Sequence, residues 1–291
     1  MNRHLDPTLK HDAIVLFDAI DSNPNGDPDN GGAPRIDVET GQGIVSDASL
    51  KRKIRDIVEF QVNEGVLPAD AYKIFIRRGV SLNEQLEEAW AADGHKPDKK
   101  APKAHEEAAQ KRMKAECFDV RLFGAVMSTG NASGGKLTGP VSVGIARSFH
   151  PVAPIELAIT RTASTKVEAK DNASQMGSKS VVPYGLYAFR VHYQPTKDNA
   201  VTARDLEVFW HALAQLFEVT RSAARPDVNV RSITVFTHDN PLGNAPARTL
   251  LDRVRVNLRA GCEQPRSFDD YTVTTPEQAE MPSGVTVTQL V

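Results

Sequence analysis

The residues with the clearest chemical potential form a short polar segment near the N-terminus, DSNPNGDPDNGG at 21–32. Its first six residues match the beginning of the helix–loop–helix calcium signature, D-x-[DN]-x-[DN]-G. That signature needs a bidentate Glu at its twelfth position, where this chain has Gly32. The preceding run, AIVLF at 13–17, is typical of a strand and not of the helix that enters a calcium loop. The segment is therefore predicted not to bind calcium.

Carboxylates are frequent in and around the same segment. They are Asp18, Asp21, Asp27, Asp29 and Asp37. Hard cations such as Mg²⁺ take several oxygen ligands, so this group could build a metal-dependent nuclease. Asp and Asn are equally the standard residues of turns. Two interpretations stay open: a structural loop, and a ribonuclease that uses Asp21 or Asp27.

Other catalytic signatures are absent from the sequence. The eight histidines are dispersed and none makes H-x-x-x-H spacing, and the two cysteines, Cys117 and Cys262, match no metal or redox motif. There is no Walker A motif and no G-x-S-x-G. We therefore predict no catalytic residue, no metal site and no cofactor.

A second polar feature follows the acidic segment, in SDASLKRKIRDIV at 46–58. Ser46 or Asp47 is a plausible helix N-cap, and the apolar residues recur at i, i+4, i+7 and i+8 from Leu50. The adjoining helix face then carries three cations: Lys51, Arg52 and Arg55. These cations and the N–H groups of the preceding loop could contact phosphates. Solvated cations on an amphipathic helix are the alternative.

The elements that must position these residues form a mixed α and β pattern. Strands are predicted from Asp12 to Ile20, in TGPVSVGIARSFHPV, at 155–160, from Pro183, and in VRSITVFTHD as the last strand. Helices are predicted at 46–58, in FDVRLFGAVMS, in ARDLEVFWHALAQLFEVTRSA and, as one short piece, in RTLLDRVRVNL. Residues 60–116 read as a charged helical insertion, and residues 161–182 as a polar excursion between strands. This order predicts an α+β fold of the ferredoxin-like or RNA-recognition-motif type, an antiparallel sheet backed by two helices.

Length and charge limit the functional classes. A chain of 291 residues with 40% hydrophobic residues can bury a large core, and its net charge of -2 argues against a surface that binds polyanions everywhere. A local basic groove remains compatible with that charge. The isolated cysteines and the lack of an apolar spanning run predict a cytoplasmic protein without membrane contact.

Several sequence blocks, taken in order, resemble a known family. They are NPNGDPDNGGAPRID, VSDASLKRKIR, DVRLFGAVM, GPVSVGIARS, QMGSKSVVPYGLYAF and VFTHDNPLGNAP. Their order is similar to that of the crRNA-binding backbone subunit of type I CRISPR Cascade, in the Cas-seven family of the RAMP superfamily, with subtype I-C as the best match. The resemblance runs from about residue 12 to about residue 247.

The resemblance implies an RNA-recognition-motif-like palm, a helical fingers insertion and a thumb β-hairpin. The corresponding division is palm at 1–59, fingers at 60–116, palm at 117–160, thumb at 161–182 and palm at 183–291. Copies of such a subunit form a helical filament on one crRNA. Each thumb folds over the RNA bound by a neighbouring copy, so that one nucleotide in every six is kinked out. The guide is thereby held in six-nucleotide segments for pairing with target DNA in antiviral defence.

The resemblance also implies RNA-binding residues and partners. The opening loop would contribute Asn23, Asn25 and Arg35. The helix would contribute Lys51, Arg52 and Arg55, and the thumb would contribute Lys166, Gln175, Met176 and Lys179, with the Met as an apolar wedge. Implied partners are crRNA, target DNA through the guide, further copies of the chain, a Cas-five-type crRNA-processing subunit, and the large and small Cascade subunits. Because type III relatives cleave RNA with a loop Asp, the ribonuclease hypothesis stays open beside a non-catalytic RNA-binding subunit.

Overall fold

The computed structural model describes residues 2–98, 102–128, 130–161, 175–196 and 200–291. Its helices are α1 Asp47–Asn63, α2 Leu82–Ala92, α3 Lys103–Glu116, α4 Phe118–Phe123, α5 Ala203–Ala214 and α6 Ala247–Leu251. The first strands are β1 His11–Ser22, β2 Gln42–Val45, β3 Gly124–Met127, β4 Gly135–Thr138, β5 Val141–Val143 and β6 Ala146–Pro151. The later strands are β7 Ile155–Arg161, β8 Gln175–Tyr193, β9 Asp227–His238, β10 Arg255–Leu258, β11 Tyr271–Thr274 and β12 Val285–Gln289.

An antiparallel sheet forms the centre of the molecule, with strand order β12-β9-β1-β8-β6-β2, and β5 and β7 also pair with β8. In β1, every residue from His11 to Ala19 is buried. The reason is that both faces of this strand are covered, so its sequence is apolar nearly throughout instead of alternating. Val15 and Phe17 pack in the main core, whereas Ile14 and Leu16 pack in a second core on the opposite face. The predicted mixed fold with an antiparallel sheet is confirmed.

Helices α1 and α5 cover the first face. Leu50 and Ile54 of α1 and Phe209 of α5 are fully buried in the same core as Phe17, whose ring stacks on Tyr187 at 5.1 Å. Helix α5 begins at a capping box in which Thr202 and Asp205 exchange hydrogen bonds, which satisfies amides at the helix start. The apolar residues predicted as the stripe of this helix are all buried, although the last two follow its end at Ala214: Leu206, Phe209, Trp210, Leu213, Leu216 and Phe217. Their assignment to the core is confirmed.

The part of the sequence between α1 and β5 forms a separate, smaller apolar cluster. It contains side chains from α2, α3, α4 and the β3–β4 hairpin, including Leu86, Trp90, Met113 and Met127. The prediction of one helix across FDVRLFGAVMS was wrong, since α4 ends at Phe123 and β3 begins at Gly124. Gly124 has φ 72°, and a Cβ there would lie 2.3 Å from the carbonyl oxygen of Leu137. The close approach of β4 therefore requires glycine and ends the helix.

Two further strand predictions need correction. TGPVSVGIARSFHPV forms two strands, β5 and β6, because both pair with the long β8 at different places. β9 is not the last strand: β10 and β11 form a separate hairpin and β12 pairs with the edge of β9. The β12 sequence VTVTQ is only partly buried, as expected of an edge strand, so its apolar signal is weak.

A hairpin leaves the sheet where the polar excursion was predicted. β7 pairs with the beginning of β8 from Ile155 opposite Val181 to Arg161 opposite Gln175. From Val182 onward the same strand β8 pairs with β1 in the sheet centre. Lys166 lies outside the described residues. Across the described ranges, no helix has the length and apolar character to cross a membrane.

Candidate nucleic-acid interface

The opening loop is held by its two asparagines. The Asn23 amide donates to the carbonyls of Gly32 (2.7 Å) and Ser180 (3.3 Å). The Asn25 carbonyl oxygen accepts from the backbone N–H of Ser46 (2.9 Å) and from its hydroxyl (3.0 Å). Both side chains therefore maintain the loop, and they connect it to the base of the hairpin and to the start of α1. These are contacts within the protein, and the RNA-binding role that the resemblance implies for Asn23 and Asn25 stays a prediction.

The loop also closes on itself through backbone contacts. Asp27 and Ala33 are joined by an N–H···O bond of 2.8 Å, and the N–H of Gly32 donates to the carbonyl of Asp27 at 2.7 Å. A Cβ at Gly26 would lie 2.7 Å from the carbonyl oxygen of Gly32. This tight approach explains the glycine at the sixth position of the apparent calcium pattern without any ion.

Arg35 is the predicted loop cation that keeps hydrogen-bonding capacity. Its guanidinium forms an ion pair with Asp27 at 3.2 Å and remains 35% exposed. Its Nε is buried without a partner among the described residues, so the exposed part of the guanidinium is its terminal NH₂ groups. A guanidinium has five donors, so the pair with Asp27 leaves donors free for a phosphate oxygen.

Lys51 and Arg52 lie on the first turns of α1, which begins at the N-cap Ser46. Lys51 pairs with Asp47 at 3.1 Å and lies over the Phe123 ring, while Arg52 donates to the carbonyl of Ile76 at 3.2 Å. About a quarter of each side chain is exposed. These two predicted cations are accessible to a strand that crosses the helix.

Arg55 does not accompany them at the surface. Its side chain is buried and its Nε donates to Asp119 at 2.7 Å. The Asp119 carboxylate also accepts from the backbone N–H groups of Phe75 (2.8 Å) and Ile76 (3.1 Å). Arg55 does lie near Lys51, since both contact the Phe123 ring, but the expectation that it is available at the surface as a phosphate contact needs correction: its guanidinium is buried and pairs a buried carboxylate.

The predicted hairpin residues lie at the beginning of β8. Gln175 is opposite Arg161 in the register, Met176 is opposite Thr160, and Lys179 is opposite Leu157 and partly exposed. Because Asn23 donates to Ser180, the hairpin base and the opening loop are in direct contact. The loop thus brings the hairpin and the cationic helix together in one region.

Most carboxylates of the region have structural partners. Asp18 is buried against Arg231 (2.8 Å), and burial raises the pKa of this carboxyl. Asp37 pairs with Arg147 at 2.7 Å, and that hydrogen bond lowers the pKa of Asp37. Asp21 differs because it is exposed and has a positive φ of 44°. Within the described ranges, no group of three or more His, Cys, Asp or Glu could hold a metal ion.

Sequence reasoning missed a cationic cleft on the other side of α1. We use this name for the cleft between α1 and residues 218–225, which is lined by Arg52, Lys53, Arg78, Thr220 and Arg225 among others. Lys53 follows Lys51 by two residues and so points about 200° away around the helix. The only sequence signal is the KRK triplet itself, which does not indicate that the third cation faces a cleft.

Comparison of the sequence with known proteins identifies the family of this chain. A sequence profile described as CRISPR-associated protein Cas7 matches residues 9–276. The CRISPR-associated protein Cas7 of Haloferax volcanii is 36% identical over 69 residues, which is 24% of this chain and 18% of that protein.

Solved structures with similarity come from CRISPR complexes. A chain of a CRISPR RNA-guided surveillance complex in a pre-nicking state is 18% identical, with a TM-score of 0.48 over 78% of this chain and 75% of that one. A chain of the type III-B Cmr-beta complex bound to cognate target RNA is 11% identical, with a TM-score of 0.43 over 78% and 61%. A third chain, from a CRISPR RNA-guided surveillance complex, is 15% identical, with a TM-score of 0.38 over 80% and 71%. The family assignment depends on the profile, which covers nearly the whole sequence: the chain belongs to the Cas7 family of CRISPR-associated proteins, in the RAMP superfamily.

Proposed function

We propose that this chain is a non-catalytic backbone subunit that polymerises along crRNA in a type I-C CRISPR Cascade surveillance complex. The observation that carries the proposal is the family match over residues 9–276. In this function each copy holds a six-nucleotide segment of the guide and leaves its bases free to pair with target DNA. The other partners are the Cas-five-type crRNA-processing subunit and the large and small Cascade subunits, in the cytoplasm.

The fold supports a palm, fingers and thumb organisation. The inner strand order β9-β1-β8-β6, with α1 and α5 on one face, supports an RNA-recognition-motif-like palm. Residues 60–116 are the fingers and residues 161–182 the thumb in this proposal, although the paired arms of the hairpin already begin at Ile155. The palm comprises 1–59, 117–160 and 183–291.

The proposed guide path runs from the hairpin, past the opening loop, to the start of α1. Arg35, Lys51 and Arg52 contact phosphates, because all three are partly exposed and adjacent to the loop. The hairpin contributes Lys166, Gln175, Met176 and Lys179, with Met176 beside a displaced base. Recognition through phosphate and sugar is required because a guide subunit must accept any sequence.

Co-expression with a repeat–spacer array and native mass spectrometry of the purified complex test this function. We expect several copies of the chain on one RNA of defined length. The double variant Lys51→Gln/Arg52→Gln should lose RNA and assembly. Its control is Lys103→Gln/Arg248→Gln, which removes the same charges at well-exposed positions and should assemble normally. A wild-type protein that is purified as a monomer free of RNA contradicts the proposal.

One observation favours the ribonuclease as a second candidate. Asp21 is the only non-glycine residue of the described ranges with positive φ, a strained conformation that is common at functional sites. Asp27, the other candidate, is held by Arg35. The assembled complex should be incubated with complementary RNA and Mg²⁺. Cuts at six-nucleotide spacing that disappear in Asp21→Ala would establish cleavage, whereas intact RNA supports the non-catalytic subunit.

A further inference from the structure

The cationic cleft contains a lysine that is almost completely buried. Lys53 is 3% exposed, and its Nζ donates to the Thr220 hydroxyl at 3.2 Å and lies 5.2 Å from the centre of the Phe217 ring. These contacts orient the ammonium group but supply no negative charge. An ammonium taken out of water is normally paired with a carboxylate.

Two cations that line the cleft with Lys53 also lack a carboxylate partner within the described ranges. Among the described residues, no carboxylate lies within ion-pair distance of Lys53, Arg78 or Arg225. The carboxylates that line the same cleft, Asp56 and Glu59, are bound by Arg52. Arg225 donates to the backbone carbonyl of Thr220 at 3.2 Å, which fixes it beside the cleft. The cleft therefore has an excess of positive charge, in a chain whose net charge is -2.

The electrostatics agree with this geometry. Burial and, to a smaller extent, the positive charge of nearby Arg225 lower the pKa of Lys53 to about 8. The folded protein thus holds cations together at a cost in free energy. An anion in the cleft would remove that cost, since it pairs with the cations that repel each other.

We propose that the cationic cleft binds a backbone phosphate of a nucleic acid strand, with Lys53, Arg78 and Arg225 as its ligands. The inference extends the proposed RNA-binding function, on which it rests, to the opposite side of α1. A phosphodiester fits because the cleft is open, has a volume of about 480 Å³, and offers the Ser49, Thr220 and Ser222 hydroxyls beside the cations. With Arg52 at its rim, the cleft continues the cationic surface that begins at Lys51.

Fluorescence anisotropy with a labelled single-stranded RNA, measured over a series of KCl concentrations, tests the inference. We expect Arg78→Gln and Arg225→Gln each to weaken binding roughly ten-fold and to reduce the salt slope by about one. Arg248→Gln is the matched control, because it removes the same charge at an exposed position of α6. A second arm adds labelled complementary DNA to the preassembled guide complex, which separates a guide phosphate from a target phosphate.

A loss specific to the cleft variants in either arm supports the phosphate site and identifies the strand. Cleft variants that match Arg248→Gln in both arms, while the wild type binds RNA, overturn the inference and leave the proposed function intact. Failure of the wild type to bind RNA overturns both. Arg78 is exposed and Arg225 half-buried, so these variants are expected to fold; equal melting temperatures check this.

Discussion

At the scale of single residues, burial separates cations that look alike in the sequence. Lys51, Arg52, Lys53 and Arg55 lie within five positions of α1, yet the first two are partly exposed and the other two are buried. Arg55 has a carboxylate partner, whereas Lys53 has only a hydroxyl and an aromatic ring. The same helix therefore contains cations with surface, structural and proposed ligand-binding roles.

Lys53 is buried and has no carboxylate partner among the described residues, so we predict that an apolar replacement stabilises the protein. We expect Lys53→Met to raise the free energy of unfolding by about 1–3 kcal/mol at pH 7, since the pKa of about 8 lies well below the ordinary 10.5. Below pH 8 the lysine is charged in both states, so the full cost is present. Between pH 8 and 10.5 the unfolded chain binds more protons, so wild-type stability rises and the difference shrinks. Arg225 and Arg78 lower this pKa and Asp56 raises it.

Urea unfolding of wild type and Lys53→Met at pH 7 and pH 9.5 measures both effects. Lys51→Met is the control, since that side chain is partly exposed and its pair with Asp47 is worth under about 1 kcal/mol. A Lys53→Met protein that is less stable than the wild type at pH 7 contradicts the prediction. Stabilisation together with weaker RNA binding would mean that the lysine is kept for its ligand.

At the scale of elements, the buried pair Arg55–Asp119 connects α1 to α4. Asp119 also binds the amides of Phe75 and Ile76, so one carboxylate holds three parts of the chain. We expect Arg55→Met to cost about 3 kcal/mol, because it leaves a buried carboxylate without its cation. Arg52→Met should cost under about 1 kcal/mol, because Arg52 is partly exposed.

Thermal or urea unfolding compares these two variants, and RNA binding should rank them in the opposite order. Arg52→Met should weaken RNA binding while costing under about 1 kcal/mol of stability, and Arg55→Met should bind RNA normally at temperatures where it is folded. Equal stability of the two variants would show that Arg55 is not structurally important. Loss of RNA binding by folded Arg55→Met would restore it as a guide contact.

At the scale of the whole molecule, both faces of the central sheet are covered near β1. α1 and α5 cover one face, and α6 with the β10–β11 hairpin covers the other. An RNA-recognition-motif sheet with one open face could stack bases on it, but this route is closed where α6 packs. The proposed guide path therefore lies along the loop, the helix and the hairpin.

The hairpin has an exposed apolar stripe that fits assembly. Ile155, Leu157 and Ile159 alternate along β7 and are 42–47% exposed. In the proposed filament a neighbouring copy covers this stripe. We expect Leu157→Ser/Ile159→Ser to reduce the number of copies per RNA in native mass spectra while the monomer unfolds at nearly the same temperature, because the side chains are largely solvated already.

Glu156→Gln/Ala158→Ser is the matched control, since these exposed residues alternate with the stripe and belong to the other face of β7. It should assemble like the wild type. An unchanged copy number for Leu157→Ser/Ile159→Ser would exclude the stripe from the contact between copies.

The sequence by itself determined the elements whose pattern is local. The 3.6-residue periodicity of α5 and the apolar run of β1 are visible because propensity and burial agree within each segment. The short edge strand β12 and the end of α4 at Gly124 were not predictable in this way, since they depend on a distant partner strand or on the close approach of β4.

Only the tertiary structure decided which polar residues are available for binding. Periodicity gives the angle between Lys51, Lys53 and Arg55 around α1, but not which distant segments cover each one. Asp119 lies 64 residues from Arg55, and Thr220 lies 167 residues from Lys53. Whether a cation is solvated, paired or left facing a cleft is set by such contacts, because the free energy of a charge depends on all groups near it and not on its place in the sequence.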